Sequence, residues 1–103
     1  MGKKSSPRDV ELYQRVDEVL HYIWDPIGVS GMPMARDEYY GYLPTVFSLL
    51  TQDENNDEKI AEYLVHVATE RMGLHETREH ALEIVAILQD WKATVDEKYA
   101  QEP

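Results

Sequence analysis

The side chains whose types and spacing best fit chemistry are His75, Glu76 and His80, in the run HETREH. Glu76 and His80 are four residues apart, so one helix would present both on the same face, with His75 approaching from the preceding loop. Imidazoles and carboxylates that converge in this way can bind zinc or another transition metal. The same spacing is common by chance in charged helices, and no second helix carries a matching Glu and His pair. We therefore predict no metal and no cofactor, and surface roles for these three residues.

Nucleophilic catalysis and phosphate binding lack the residues that they require. The chain has no cysteine, and no serine stands in a Gly-x-Ser-x-Gly turn. The run from Gly28 to Gly31 has the glycines of a phosphate loop but no lysine after them. For His21, with Asp17 and Asp25 nearby in the sequence, we predict a solvated ion pair. The sequence thus predicts a protein that is not an enzyme.

Three tyrosines and two acids follow one another closely in the stretch WDPIGVSGMPMARDEYYGYLP, residues 24–44. The tyrosines cannot all face a core, because adjacent helical positions point about 100° apart. Tyrosine is enriched at the energetically dominant positions of protein interfaces. We predict that these residues form a partner-binding surface, which consists of Asp37, Glu38, Tyr39, Tyr40 and Tyr42. Two further acids, Asp57 and Glu58, would add long-range attraction.

Charge indicates what kind of partner such a surface would bind. The chain has 20 acidic and 10 basic residues, and every acid lies from Asp9 onward. Nucleic acid and anionic membranes would be repelled, whereas a basic protein would be attracted and would associate faster. With no long apolar run and no cysteine, we predict a cytoplasmic protein that binds a basic protein partner.

Two alternatives stay open at this point. The first is a metal-binding enzyme or sensor centred on His75, Glu76 and His80. The second is a homo-oligomer without catalysis, which would need apolar residues left exposed away from the main helical stripes. The candidates for such residues are Leu49, Leu82 and Ile87.

Four helical segments must position these residues. Helix one begins with Ser6 as N-cap and Pro7 at its first position, and it ends where Asp25 precedes a proline. Helix three begins at a capping box formed by Asn55 and Glu58 and ends at Gly73. Helix four runs from about residue 77 to residue 99. The inward stripes are Leu12, Val16, Val19, Leu20 and Ile23 in helix one, Ile60, Tyr63, Leu64, Val67 and Ala68 in helix three, and Ala81, Ile84, Val85, Leu88, Trp91 and Val95 in helix four.

Helix two is harder to place, because Pro44 would clash with the preceding turn of a continuous helix. We predict a capped turn over residues 37–42 and then a helix from Leu43, with a single kinked helix as the alternative. Before it lies an ordered Pro- and Gly-rich loop that we expect to cover the helix ends, or else to form a contact surface. In this loop Asp25 would accept backbone N–H bonds, and Arg36 would pair with Asp25, Asp37 or Glu38. The loop residues with predicted structural roles are Trp24, Asp25, Pro26, Gly28 and Arg36.

The predicted fold is all-α, a compact four-helix domain over residues 7–99, with a flexible basic tail at residues 1–6 and a disordered tail at residues 100–103.

The segments WDPIGV and RDEYYGYLPTV, set between helices, resemble a group of small uncharacterised bacterial proteins. The nearest group is domain of unknown function 1871, whose members share Trp-Asp-Pro-(Ile/Phe)-Gly followed by an acidic, tyrosine-containing helix start. The resemblance covers residues 16–50, implies a small helical bundle and supplies no activity or catalytic residue. Pro33 and Tyr42 depart from the group's pattern.

A weaker similarity concerns function. The acidic four-helix immunity proteins that block colicin DNases carry an Asp-Tyr-Tyr-Pro-type segment, and this sequence resembles it at Asp37, Glu38, Tyr39, Tyr40 and Pro44. Here the segment precedes helix two rather than lying late in the chain. The analogy implies a protein that masks a basic partner such as a nuclease toxin.

Overall fold

The computed structural model describes residues 6–100, which form four α-helices. These are α1 (Pro7–Glu18), α2 (Leu43–Thr51), α3 (Asp57–His66) and α4 (Arg78–Ala100). α1 and α3 each continue into a π-helical segment, Val19–Trp24 and Val67–Arg71, and 3₁₀ turns occur at Pro33–Ala35 and Tyr40–Tyr42. Within these residues there is no strand, so the predicted all-α four-helix fold is confirmed. The predicted tails lie outside the described residues, except for Ser6 and Ala100.

Local signals set most of the helix boundaries. The Ser6 side chain accepts a hydrogen bond from the Asp9 N–H at 3.1 Å, which is the predicted N-cap of α1. Pro44 lies in the first turn of α2, after the 3₁₀ turn, where its missing N–H has no helical partner to lose. Gly73 has a φ of 67°, as the predicted left-handed helix end requires. A turn followed by a new helix, rather than one kinked helix, therefore joins the connecting loop to α2.

The start of α3 differs from the prediction by one residue. Asn56, not Asn55, occupies the N-cap position, and the predicted capping box does not form. Asn55 instead accepts a hydrogen bond from the Asp57 N–H at 2.8 Å. The buried Asn56 side chain donates to the Leu49 carbonyl at 2.9 Å, and this contact fixes the α2–α3 turn and moves the helix start.

The core lies between α4 and the other three helices. α1 runs antiparallel to α4. Two hydrogen bonds show this, from Arg8 to Asp96 near one end of the helix pair and from Trp24 to Glu76 near the other end. α2 is also antiparallel to α1, since Leu43 lines a hollow with Asp17 and Phe47 lines one with Val10. α2 packs against α3 as well, and α3 packs on α4. The fully buried larger side chains are Leu12, Val16, Val19, Leu20, Val46, Leu50, Ile60, Leu64, Val67, Ile84, Val85 and Leu88.

The π-helical end of α1 shifts the apolar stripe by one residue. A π turn holds more residues than an α turn, so the inward position after Leu20 falls on Trp24 instead of Ile23. Trp24 is accordingly 2 % exposed, whereas Ile23 is 48 % exposed, and the prediction for Ile23 was wrong.

Two other burial predictions need correction. Trp91 lies at the edge of the inward face of α4, is 36 % exposed and has the Arg15 guanidinium over its ring at 5.6 Å. The residues proposed as an exposed oligomer surface, Leu49, Leu82 and Ile87, are half-buried and pack against the core.

In the described part of the chain, none of the helices combines the length and the apolar composition that a bilayer span needs.

Candidate functional site

Asp25 organises the connector, the segment of residues 25–42 that joins the π-helical end of α1 to α2. Its backbone is left-handed, with a φ of 32°. One carboxylate oxygen accepts hydrogen bonds from the Gly28 and Val29 N–H groups at 3.1 and 2.8 Å, and the other accepts from Ser30 at 3.0 Å. Gly28 has a φ of 81°, which only glycine adopts without strain. The predicted structural roles of Asp25 and Gly28 agree with this geometry.

Tyr39 joins the far end of the connector to the same carboxylate. Its hydroxyl donates to Asp25 Oδ1 at 2.8 Å and accepts from the Ile27 N–H at 3.0 Å. The ring is 3 % exposed and packs 5.5 Å from the Trp24 ring. Burial raises the pKa of the Tyr39 phenol, and Asp25 raises it further, which outweighs the opposite effect of the Ile27 N–H. Tyr39 was predicted to anchor a partner, and this was wrong, because its ring and hydroxyl hold the connector closed.

The Trp24 indole connects this end of the domain to the start of α4. Its N–H donates to a Glu76 carboxylate oxygen at 3.0 Å. The same carboxylate lies 2.9 Å from His80 Nδ1, whereas His75 is exposed. The structure thus brings together Glu76 and His80 but places an indole against the carboxylate. The predicted surface role of Glu76 was wrong, because Trp24 covers its side chain, which is only 9 % exposed. In residues 6–100 no group of three or more acidic or histidine side chains is arranged to hold a metal ion.

Arg36 fastens the connector to α1. Its guanidinium donates to both Asp17 oxygens, at 3.0 and 2.8 Å, and lies 5.2 Å from the centre of the Tyr22 ring. The predicted pairing with Asp25, Asp37 or Glu38 was wrong. Asp25 is not the partner of Arg36, since its oxygens accept backbone N–H groups of the connector. Arg36 follows the 3₁₀ turn at Pro33–Ala35, and its side chain extends to Asp17 on α1.

Exposed apolar side chains are concentrated on and beside the connector. Ten large hydrophobic side chains are exposed in the described residues, and six of them lie in residues 22–40. Met34 is 96 % exposed and Tyr40 is 49 % exposed. Asp37 and Glu38, between these two residues, are also exposed. We use the name connector face for the exposed side chains Tyr22, Ile27, Met32, Met34, Asp37, Glu38 and Tyr40.

The other predicted partner-binding residues do not belong to this surface. Tyr42 is half-buried, with the Arg71 guanidinium 5.9 Å from its ring centre. Asp57 is half-buried and accepts from Gln89 at 2.8 Å, and Glu58 forms an ion pair with Arg78. α2 has nine residues, so its length of about 13 Å separates its first turn from the turn that leads to α3.

His21 is a buried residue that the sequence reasoning placed wrongly in solvent. It is 2 % exposed, and its Nδ1 has no hydrogen-bond partner in the described structure. Its ring meets the Tyr22 ring edge-on, 4.5 Å between centroids. The π-helical register that turns Trp24 inward also turns His21 inward. A shallow hollow of about 280 Å³ adjoins it, lined by His21, Tyr22, Ser30, Gly31, Pro33 and Arg36.

Replacing Asp25 by asparagine tests its role through the pH dependence of stability. Burial raises the pKa of the Asp25 carboxyl, but hydrogen bonds from Val29, Tyr39 and Ser30 outweigh it, so the folded-state pKa lies below the ordinary value of 3.8. The stabilisation is therefore complete above pH 3.8 and is lost as the pH falls through the folded-state pKa. We expect Asp25→Asn to lower the free energy of unfolding by about 1–3 kcal/mol at neutral pH.

Urea titrations of both proteins at several pH values measure this difference directly. The gap between wild type and Asp25→Asn should narrow as the solution becomes acidic enough to protonate the wild-type carboxyl. A gap that stays constant across the acid range would show that the charge of Asp25 does not hold the connector.

Comparisons of the chain with protein-family models, with curated proteins and with solved structures found no match.

Proposed function

We propose that this protein is a small acidic interaction module, without catalytic activity, whose connector face binds a basic protein partner. The observation that carries the proposal is the concentration of exposed apolar side chains in residues 22–40. Exposed apolar clusters rimmed by polar groups mark interaction sites, and flexible methionines suit surfaces that adapt to a partner.

The connector is held in one conformation before any partner arrives. Asp25 accepts three backbone N–H groups and one phenol, and Arg36 ties the segment to Asp17. A surface that is ordered beforehand loses less conformational entropy on binding, so more of the contact energy appears as affinity.

Electrostatics favours a basic partner over a second copy of this chain. The net charge is −10, and residues 16–58 contain no lysine and no arginine other than Arg36. Because Arg36 is neutralised by Asp17, the exposed Asp37 and Glu38 keep the connector face acidic. A basic protein would be drawn to this surface, whereas two copies would repel each other.

The most specific form of the proposal is an immunity- or antitoxin-like protein that masks a basic partner in the cytoplasm. Acidic side chains would speed the encounter, and the apolar side chains of the connector face would hold the complex together. The hydrogen bonds of Asp25, Arg36 and Tyr39 within the protein support this form of the proposal, because they hold the backbone that carries the connector face.

Affinity capture from lysate of the source cells tests the proposal. With the wild-type protein as bait, we expect a basic protein at low salt and much less of it at high salt, because salt screens attraction between exposed charges. Met34→Ser should reduce capture without affecting stability, since Met34 is almost fully exposed. Leu74→Ser, at a 36 % exposed apolar residue outside the connector face, is the control, and it should leave capture unchanged.

Capture of no basic protein at low salt would refute the proposal. Equal capture by Met34→Ser and wild type would move the binding surface away from the connector face.

A further inference from the structure

A groove between α1 and α2 adjoins the connector face. Two hollows, of about 280 and 370 Å³, lie on either side of the Tyr13 side chain. The first hollow is lined by Asp9, Val10, Tyr13, Gln14 and Phe47, and the second by Tyr13, Asp17, Tyr40 and Leu43. Tyr40 belongs both to the second hollow and to the connector face, so the groove extends that surface along α1.

Three of the apolar side chains that line the groove are exposed. Val10 is 46 % exposed, Tyr13 is 36 % exposed and Tyr40 is 49 % exposed. Tyr13 forms the ridge between the hollows and is held edge-on against Phe47, with 5.1 Å between ring centroids. Between one third and one half of each of these three side chains is therefore open to a partner.

The spacing of the hollows matches the side chains of a helix. The lining residues advance along α1 from positions 9–14 to positions 13–17, which corresponds to a shift of about one helical turn, roughly 5 Å. On a helix, side chains three or four positions apart are separated by about 5–6 Å. A bound strand would find no sheet edge for its backbone N–H groups, because residues 6–100 contain no strand.

Building on the proposed function, we propose that the partner contributes a basic amphipathic helix that lies in this groove. One apolar side chain would enter each hollow, three or four positions apart, and lysines or arginines on the outer faces would meet the acidic domain. Asp9 and Asp17 are paired with Arg8 and Arg36, so the attraction comes from the net charge of the whole chain. The same net charge disfavours a second copy as the occupant.

A synthetic peptide of about 15 residues is a suitable probe, because shorter isolated helices are marginal in water. It contains only leucine and lysine, with the leucines spaced three and four residues apart, and a scrambled peptide of equal composition is its control. We expect the patterned peptide to bind the full chain at least about tenfold more tightly than the scrambled one, as measured by calorimetry.

Val10→Glu separates insertion into the groove from simple charge attraction. The substitution makes the surface more acidic, so an association driven by charge alone would become tighter. Insertion into the first hollow predicts the opposite, a loss of about tenfold in affinity for the patterned peptide. Tyr13→Ser should weaken binding as well, whereas Trp91→Ser, at an equally exposed aromatic residue on α4, should leave it unchanged.

Two results would overturn the inference. One is equal binding of the patterned and scrambled peptides, or binding to Val10→Glu that is as tight as to wild type. The other is self-association of the protein that Val10→Glu abolishes, which would assign the groove to a second copy. Neither result changes the outcome of capture with Met34→Ser, so failure of the helix proposal is distinguishable from failure of the proposed function.

Discussion

Replacement of Trp24 by alanine is expected to lower the free energy of unfolding by about 3–5 kcal/mol, the range found for large aromatic side chains removed from cores. The indole is 2 % exposed, packs on Tyr39 and donates its N–H to Glu76. Its removal would leave a cavity under the connector and deprive a nearly buried carboxylate of a donor. Chemical denaturation monitored by circular dichroism measures the loss.

The second tryptophan provides a matched control for this experiment. Trp91 is 36 % exposed, so Trp91→Ala should cost clearly less than Trp24→Ala, about 1–2 kcal/mol. A loss for Trp24→Ala that is as small as the loss for Trp91→Ala would show that Trp24 is not the buried support of the connector. The indole would then be available to a partner, contrary to our description.

Tyr40→Ala is expected to weaken partner binding by about 2 kcal/mol or more, chiefly through faster dissociation. Tyr40 is half exposed on the connector face and also lines the adjoining groove, so it would be central to the contact. Stability should change little, because surface substitutions of this kind usually have small effects. Surface plasmon resonance with the captured partner gives both rate constants.

Tyr39→Phe is the control for this experiment. Tyr39 is the neighbouring tyrosine, but it is buried and supports the connector instead of facing a partner. Loss of the phenol removes hydrogen bonds to Asp25 and Ile27, which should reduce stability by about 1–3 kcal/mol. Partner affinity should change less than in Tyr40→Ala. If Tyr40→Ala binds as wild type, Tyr40 is not an anchor, and the proposed contact surface is wrong.

Local sequence signals were sufficient for most of the fold. Ser6 acts through a side-chain hydrogen bond and Pro44 and Gly73 through backbone geometry, each within a few residues, and all three have the predicted roles. Asp25 was also predictable, because an aspartate before Pro and Gly commonly accepts nearby backbone N–H groups. Signals of this kind depend on residue type and short spacing, which a single sequence displays directly.

The π-helical end of α1 explains the burial predictions that were wrong in this helix. Burial was predicted from the α-helical period, which placed Ile23 inward and His21 in solvent. The π register at the end of α1 changes which side chains face the core, so Trp24 and His21 are buried and Ile23 is exposed. No residue type in the run VLHYIW identifies that register, and the segment packs against α4, which is distant in the sequence.

Long-range pairing explains the remaining differences at the candidate site. Arg36 had three acids near it in the sequence but binds Asp17, 19 positions away, and Trp24 binds Glu76, 52 positions away. Of the adjacent tyrosines, Tyr39 is buried and Tyr40 exposed, since only Tyr39 reaches the Asp25 carboxylate. The sequence required at least one surface tyrosine but could not identify it without these tertiary contacts.

The most direct test of the central claim is the NMR spectrum of the methionine methyl groups, recorded with and without the captured basic partner. Met32 and Met34 lie on the connector face, 55 % and 96 % exposed, whereas Met72 packs against the core directly after the π-helical segment Val67–Arg71. Binding at the connector face predicts that the Met32 and Met34 signals shift and broaden while the Met72 signal stays in place. Unchanged Met32 and Met34 signals in a saturated complex would show that the partner binds elsewhere and would contradict the proposed function.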